Sequence, residues 1–134
     1  MRRHISISCF RVAISCCLLT AIVGCGKRPT GPKNRTSISG NVTFNGQPLP
    51  AGTLVFHSTE RSDVTPIPIY GGTYSTDRAP IGKNQVTVET SSIKYGNPAA
   101  FVPIPARYTE AETSQLSVDV KSGSNENVDF ELKK

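Results

Sequence analysis

Beyond position 25 the chain contains no cysteine, and it contains no tryptophan at all. The four cysteines, Cys9, Cys16, Cys17 and Cys25, cluster near the start, so no disulfide can staple the rest of the chain and no thiol there can act as nucleophile or ligand. The cluster also lacks the second ligand pair that a zinc site requires. The missing tryptophan removes the flat aromatic platform that a carbohydrate-binding domain usually wants. Apolar residues nowhere recur at the 3.6-residue period, which excludes a helical bundle. No apolar run approaches the roughly 20 residues that a helix needs to cross a bilayer core of about 30 Å, because the longest uncharged apolar stretch, residues 12–23, has twelve.

Charge of either sign is also scarce in the body of the chain. The whole sequence has 15 basic and 10 acidic residues. Residues 36–134, however, hold 8 basic against 10 acidic, since Arg2, Arg3, Arg11, Lys27, Arg28, Lys33 and Arg35 all precede them. Nucleic-acid binding needs a clustered basic face, and none is visible.

What is present begins with an address. Residues 1–11 carry three arginines and no acid, residues 12–23 are apolar, and the small residue Gly24 follows. That order of charged, apolar and small regions is the order of a secretory signal. Its end, Ile22-Val23-Gly24-Cys25, resembles a bacterial lipobox: an aliphatic residue, a small or aliphatic one, glycine, then the cysteine to be modified. The resemblance implies a diacylglycerol on the sulfur of Cys25 and cleavage between Gly24 and Cys25. One acyl chain binds a membrane only marginally, whereas two or three, at about 0.8 kcal/mol per buried methylene, hold it almost permanently. The expected organisation is a signal peptide over 1–24, a lipidated Cys25 with a Gly-, Pro- and base-rich tether over 25–35, and one domain over 36–134. The expected address is exported and membrane-anchored, on the outer membrane or the periplasm-facing cytoplasmic membrane, with Gly26 after Cys25 leaning towards the outer one.

The domain's main signal is alternation. Ile38, Val42 and Phe44 share one face of a segment whose other face is Ser37, Ser39, Asn41 and Thr43. Val86 and Val88; Leu116, Val118 and Val120; and Val128, Phe130 and Leu132 repeat the pattern, and residues 53–57 form a further strand apolar at Leu54, Val55 and Phe56. Asn45-Gly46 and Gly71-Gly72 supply tight hairpin turns, the second pairing Tyr70 with Thr73 and putting Ile67, Ile69, Tyr74 and Thr76 on one face. Pro66 and Pro68 lack amide donors, which predicts a strand at or near a sheet edge. Residues 121–125 read as a hairpin loop between the last two strands. About seven short strands predict an all-β, antiparallel two-sheet sandwich.

Taken in order, Ile38-Ser39-Gly40-Asn41-Val42-Thr43-Phe44-Asn45-Gly46-Gln47-Pro48-Leu49-Pro50, then Gly52-Thr53-Leu54-Val55-Phe56, Gly72-Thr73-Tyr74, Gly82-Lys83 and Ile104-Pro105-Ala106-Arg107-Tyr108 resemble the small planctomycete lipoproteins that carry a carboxypeptidase-regulatory-like, transthyretin-like domain. The resemblance implies a prealbumin-like sandwich and no established activity, and fold does not settle function. The related hydroxyisourate hydrolases would need several histidines and a Tyr-Arg-Gly-Ser end; this chain keeps one histidine, His57, after the cut and ends Glu131-Leu132-Lys133-Lys134. No locally spaced carboxylate orients His57 as a base. Asp119, Asp129 and Glu131 alternate on outward faces without the dense oxygen loop of a calcium site, so neither cofactor nor metal is expected.

The segment 91–113 is long for a connection in a small domain, which makes it either functional or packed by its own side chains. Lys94, Tyr95, Phe101, Arg107 and Tyr108 are its candidate binding residues. The competing expectation is that Phe101 and Tyr108 fold back to cap one end of the domain. The expected function is a lipid-anchored, non-catalytic envelope module, binding or structural, whose partner is the membrane through Cys25 and an envelope protein or polysaccharide. The alternative is a small ligand-binding protein or hydrolase using a cleft near His57 and the 91–113 loop.

Overall fold

The computed structural model describes residues 34–134, so the expectations for residues 1–24, for Cys25 and for the tether up to residue 33 lie outside the described residues. Arg35, read from sequence as the last tether residue, is the first residue of β1. Among the described residues no helix is long and apolar enough to cross a membrane.

The structure is all-β, with short helical turns in one connection. In chain order the strands are β1 (Arg35–Phe44), β2 (Gln47–Pro48), β3 (Ala51–Ser58), β4 (Val64–Tyr70), β5 (Thr73–Pro80), β6 (Gly82–Glu89), β7 (Leu116–Val120), β8 (Ser124–Asn125) and β9 (Phe130–Leu132). They form one curled sheet in the order β2-β1-β5-β4-β3-β6-β7, with β8 and β9 also pairing with β1. All pairings are antiparallel except those of β8 and β9 with β1, which are parallel.

The alternation read from sequence sets which face is buried. Ile38, Val42, Leu54, Phe56, Ile67, Ile69, Tyr74, Val86, Val88, Val120, Phe130 and Leu132 line the inside of the curl. At its centre the rings of Phe56, Tyr74 and Phe130 stand 5.9 to 6.4 Å apart, within the range in which aromatic pairs attract. Truncating a buried ring such as Phe56, which has no exposed surface, costs about 3–5 kcal/mol.

Both tight turns form as the sequence predicts. Asn45 and Gly46 adopt φ of 49° and 79°, and Gly71 and Gly72 adopt 58° and 83°, the paired positive values of a two-residue hairpin loop. Thr73 lies opposite Tyr70 as expected.

Two expectations change. Residues 121–125 do not close a hairpin: β7 pairs with β6, whereas β8 and β9 lie along β1. The crossing brings Phe130 into the ring cluster with Phe56 and Tyr74 and buries Leu132. The strand with Pro66 and Pro68 is also not last in the sheet, since β4 lies between β3 and β5. Yet β4 meets β5 only at Tyr70 and Thr73. The Gly71 amide donates to the Pro50 carbonyl, and alternation from that bond puts Pro66 and Pro68 in non-hydrogen-bonded pairs with Val55 and Thr53. Their missing amides therefore face the side where β4 and β5 part, so no ladder bond is lost.

The loops divide between two ends. Asn34 accepts a hydrogen bond from the Ile81 amide at one end, beside the β5–β6 turn. The hairpin turns at Asn45-Gly46 and Gly71-Gly72, and the connection after Glu89, lie at the other, about 30 Å away along the ten residues of β1.

Candidate functional site

The long connection leaves β6 through a turn closed on a carboxylate. Glu89 accepts from the Ser91 amide (2.6 Å) and hydroxyl and from the Ser92 hydroxyl (2.9 Å), which fixes the turn leading into the single helical turn α1 (Ile93–Gly96). The Ser91 hydroxyl is the main reason the Glu89 carboxyl is held below its ordinary range; partial burial opposes it and Ser92 adds to it. Thr90 then donates to the Val102 carbonyl at 2.9 Å, drawing the chain back across the end of the sheet. Val102 and Ile104 pack on the core, and Tyr108, in a 3-10 turn over Ala106–Thr109, is only 6% exposed.

Tyr108 ties this connection to the last strand. Its hydroxyl accepts from the Lys133 amide at 2.9 Å and from Arg107 at 3.1 Å, while the Arg107 guanidinium lies 4.7 Å from the centre of the Tyr108 ring and also reaches the Lys133 carbonyl. The five residues singled out in this segment therefore separate. Lys94 and Tyr95 point outward from α1, Tyr95 being 85% exposed. Phe101 is half-buried and lines a hollow of about 250 Å³ with Glu89, Thr90 and Ile104. Arg107 and Tyr108 hold the connection to Lys133, the residue after β9.

His57 sits half-buried on the outer face of β3, where its Nε2 meets the Thr87 hydroxyl at 3.0 Å. Among the described residues no three His, Cys, Asp or Glu side chains are grouped to hold a metal ion. Asp119 pairs with Lys121, Glu131 with Lys133 at 3.4 Å, and Asp129 accepts from the backbone and side-chain amides of Asn41 at 2.7 and 3.0 Å.

A second region, not singled out from the sequence, opens where β4 and β5 part. There a groove of about 450 Å³ is lined on one side by Pro68 and Tyr70, on the other by Thr73 and Ser75 of β5 and Ser39 and Asn41 of β1, and at its end by Asn127. Its walls are fixed by hydrogen bonds to the backbone of Val128 and Ser39. The Val128 amide donates to the Ser39 carbonyl at 3.0 Å, and the Tyr74 hydroxyl donates to the Val128 carbonyl at 2.7 Å. Burial, reinforced by the charge of Asp129, pushes the Tyr74 phenol far above its ordinary range, so it stays a donor. Gly40 is required at this contact, since a Cβ there would stand 1.9 Å from the Val128 carbonyl oxygen. Asn127 takes a left-handed φ of 58°, which asparagine tolerates better than most residues.

The outward position of Tyr70 was implicit in the alternation that sends Ile67 and Ile69 inward. The approach of Asn127 was not, because it depends on the crossing of residues 121–129 from β7 to β1. Comparisons of the chain with protein-family models, with curated proteins and with solved structures return no match.

Proposed function

We propose that the protein is an exported, non-catalytic module of the cell envelope, binding or structural, anchored in the membrane by lipid on Cys25 and built on a carboxypeptidase-regulatory-like sandwich. The observation that carries this reading is Ile22-Val23-Gly24-Cys25, directly after an uncharged apolar run and with no cysteine beyond it. The single pair joining β4 to β5 supports dividing the curl into two facing layers, β7-β6-β3-β4 and β5-β1 with its partners. The ring of His57 has a threonine hydroxyl as its partner, which supports a non-catalytic role. The position of Asn34 supports an orientation in which the tether enters at one end and the 91–113 connection faces away from the membrane.

Cell fractionation and intact mass of the Cys25→Ala variant test the anchor. The expected result is loss from the membrane fraction and of the acyl mass; an unchanged distribution and mass would overturn the reading.

A further inference from the structure

We propose that the groove between β4 and β5 binds a neutral oligosaccharide; this deepens the envelope-module reading by naming the ligand class, and it does not depend on the lipid anchor. The volume of about 450 Å³ lies within the range of small-ligand sites, roughly 300–1,000 Å³. The chemistry of the lining narrows the class. The Tyr70 ring, 72% exposed beside Pro68, gives a rigid amphipathic surface on which the C–H face of a sugar ring can lie. It stands in for the absent tryptophan. Across from it, the side chains of Ser39, Ser75 and Asn127 make no hydrogen bond to another described residue. Hydroxyls and amides both donate and accept, which is what the hydroxyls of a sugar require.

The competing ligand classes fit poorly. No Lys, Arg, His, Asp or Glu lines the groove, so a phosphate, sulfate or carboxylate would find no counter-charge, and Asp129 beside Asn41 would repel it. An extended peptide adding to the free side of β4 would meet Pro66 and Pro68, two positions with no amide to donate. The site is also preorganised. Thr73 donates to the Tyr70 carbonyl at 2.9 Å, and the bonds around Val128 hold Asn127 against β1, so little ordering is needed on binding.

The test is calorimetric titration of the full chain, in a sugar-free detergent, with cellohexaose, chitohexaose, maltohexaose and xylohexaose, and with hexagalacturonate as anionic control. The expected result is millimolar or tighter binding of at least one neutral hexasaccharide, weakened on the order of tenfold in Tyr70→Ala and in Asn127→Gly, with both variants keeping the parent melting temperature. Asn127→Gly removes the amide while accepting the positive φ. Failure of all four neutral probes to bind, binding that both variants retain, or equal binding of hexagalacturonate would overturn the proposal. Binding lost in Tyr95→Ala instead would overturn it while leaving the envelope-module reading intact. Glycan binding unchanged in Cys25→Ala separates this outcome from the fate of the anchor.

Discussion

The 91–113 connection and the β4–β5 groove differ in what carries their free polar groups: short helical turns and a loop in the first, paired strands and the residue beside Val128 in the second. In the connection, the Glu89 carboxylate and the Thr90, Arg107 and Tyr108 side chains bond within the segment or to Lys133, whereas Lys94, Tyr95, Asn97, Glu110 and Glu112, all exposed, have no side-chain partner among the described residues. In the groove, Ser39, Ser75 and Asn127 have no side-chain partner among the described residues. Length and aromatic content make the connection the more conspicuous segment in the sequence, yet of its aromatic rings Tyr108 is spent on packing, Phe101 is half-buried and Tyr95 stands exposed on a single helical turn. A surface that recognises something else needs unsatisfied groups held in fixed positions, and the short flank of a hairpin supplies them here.

The largest expected effect that would break this contrast is at Tyr108. Tyr108→Ala empties a site only 6% exposed and should destabilise the domain by about 3–5 kcal/mol, read as a lowered urea midpoint. Tyr108→Phe, which removes only the hydroxyl that meets Lys133 and Arg107, should cost about 1 kcal/mol. A Tyr108→Ala variant as stable as the parent would mean that the connection is not a cap.

Gly40→Ala comes next. Its methyl would overlap the Val128 carbonyl, so a loss of about 1–3 kcal/mol is expected together with displacement of Asn127, visible as altered amide shifts at residues 124–129. Unchanged shifts there would show that the groove wall is not held as described.

Glu89→Gln should have a smaller effect with a defined pH dependence. Because the folded state lowers the Glu89 pKa, its contribution is present above the ordinary glutamate value of about 4.3 and is lost as pH falls through the lower folded value. The parent should therefore exceed the variant in stability at neutral pH by under about 1 kcal/mol, given the solvent screening at this site, and the difference should vanish in acid. A difference that grows on acidification would contradict this role of the Glu89 carboxylate. Smallest of all, Lys94→Ala and Tyr95→Ala should leave the urea midpoint within about 0.5 kcal/mol of the parent, since both side chains are exposed.

Period-two alternation identified β1, β6, β7 and β9, because a strand with one face in the core must bury every second residue, but the two-residue strands β2 and β8 are too short to show a period, and Val55 between Leu54 and Phe56 hid the alternation that β3 has. The two glycine-containing turns were legible for a similarly local reason: only residues tolerant of positive φ can occupy them. The path after Val120 was not legible. Residues 121–125 have the length and composition of a hairpin loop, and the seating of Phe130 beside Phe56 and Tyr74 is a long-range contact that no local pattern encodes. Pro66 and Pro68 announced missing donors correctly but not the local opening between two neighbouring strands that accommodates them. The groove inherits both gaps: Tyr70 could be placed on an outer face from its neighbours, whereas Asn127 reaches the site only through the crossing.

The most direct measurement of the contrast is a backbone-amide NMR titration of the full chain with the neutral hexasaccharide that binds in calorimetry. Shifts are expected to concentrate at Ser39, Thr73, Ser75 and Asn127, with Lys94 and Tyr95 unmoved. Shifts concentrated at Lys94, Tyr95 and Phe101, with the groove silent, would contradict the proposal.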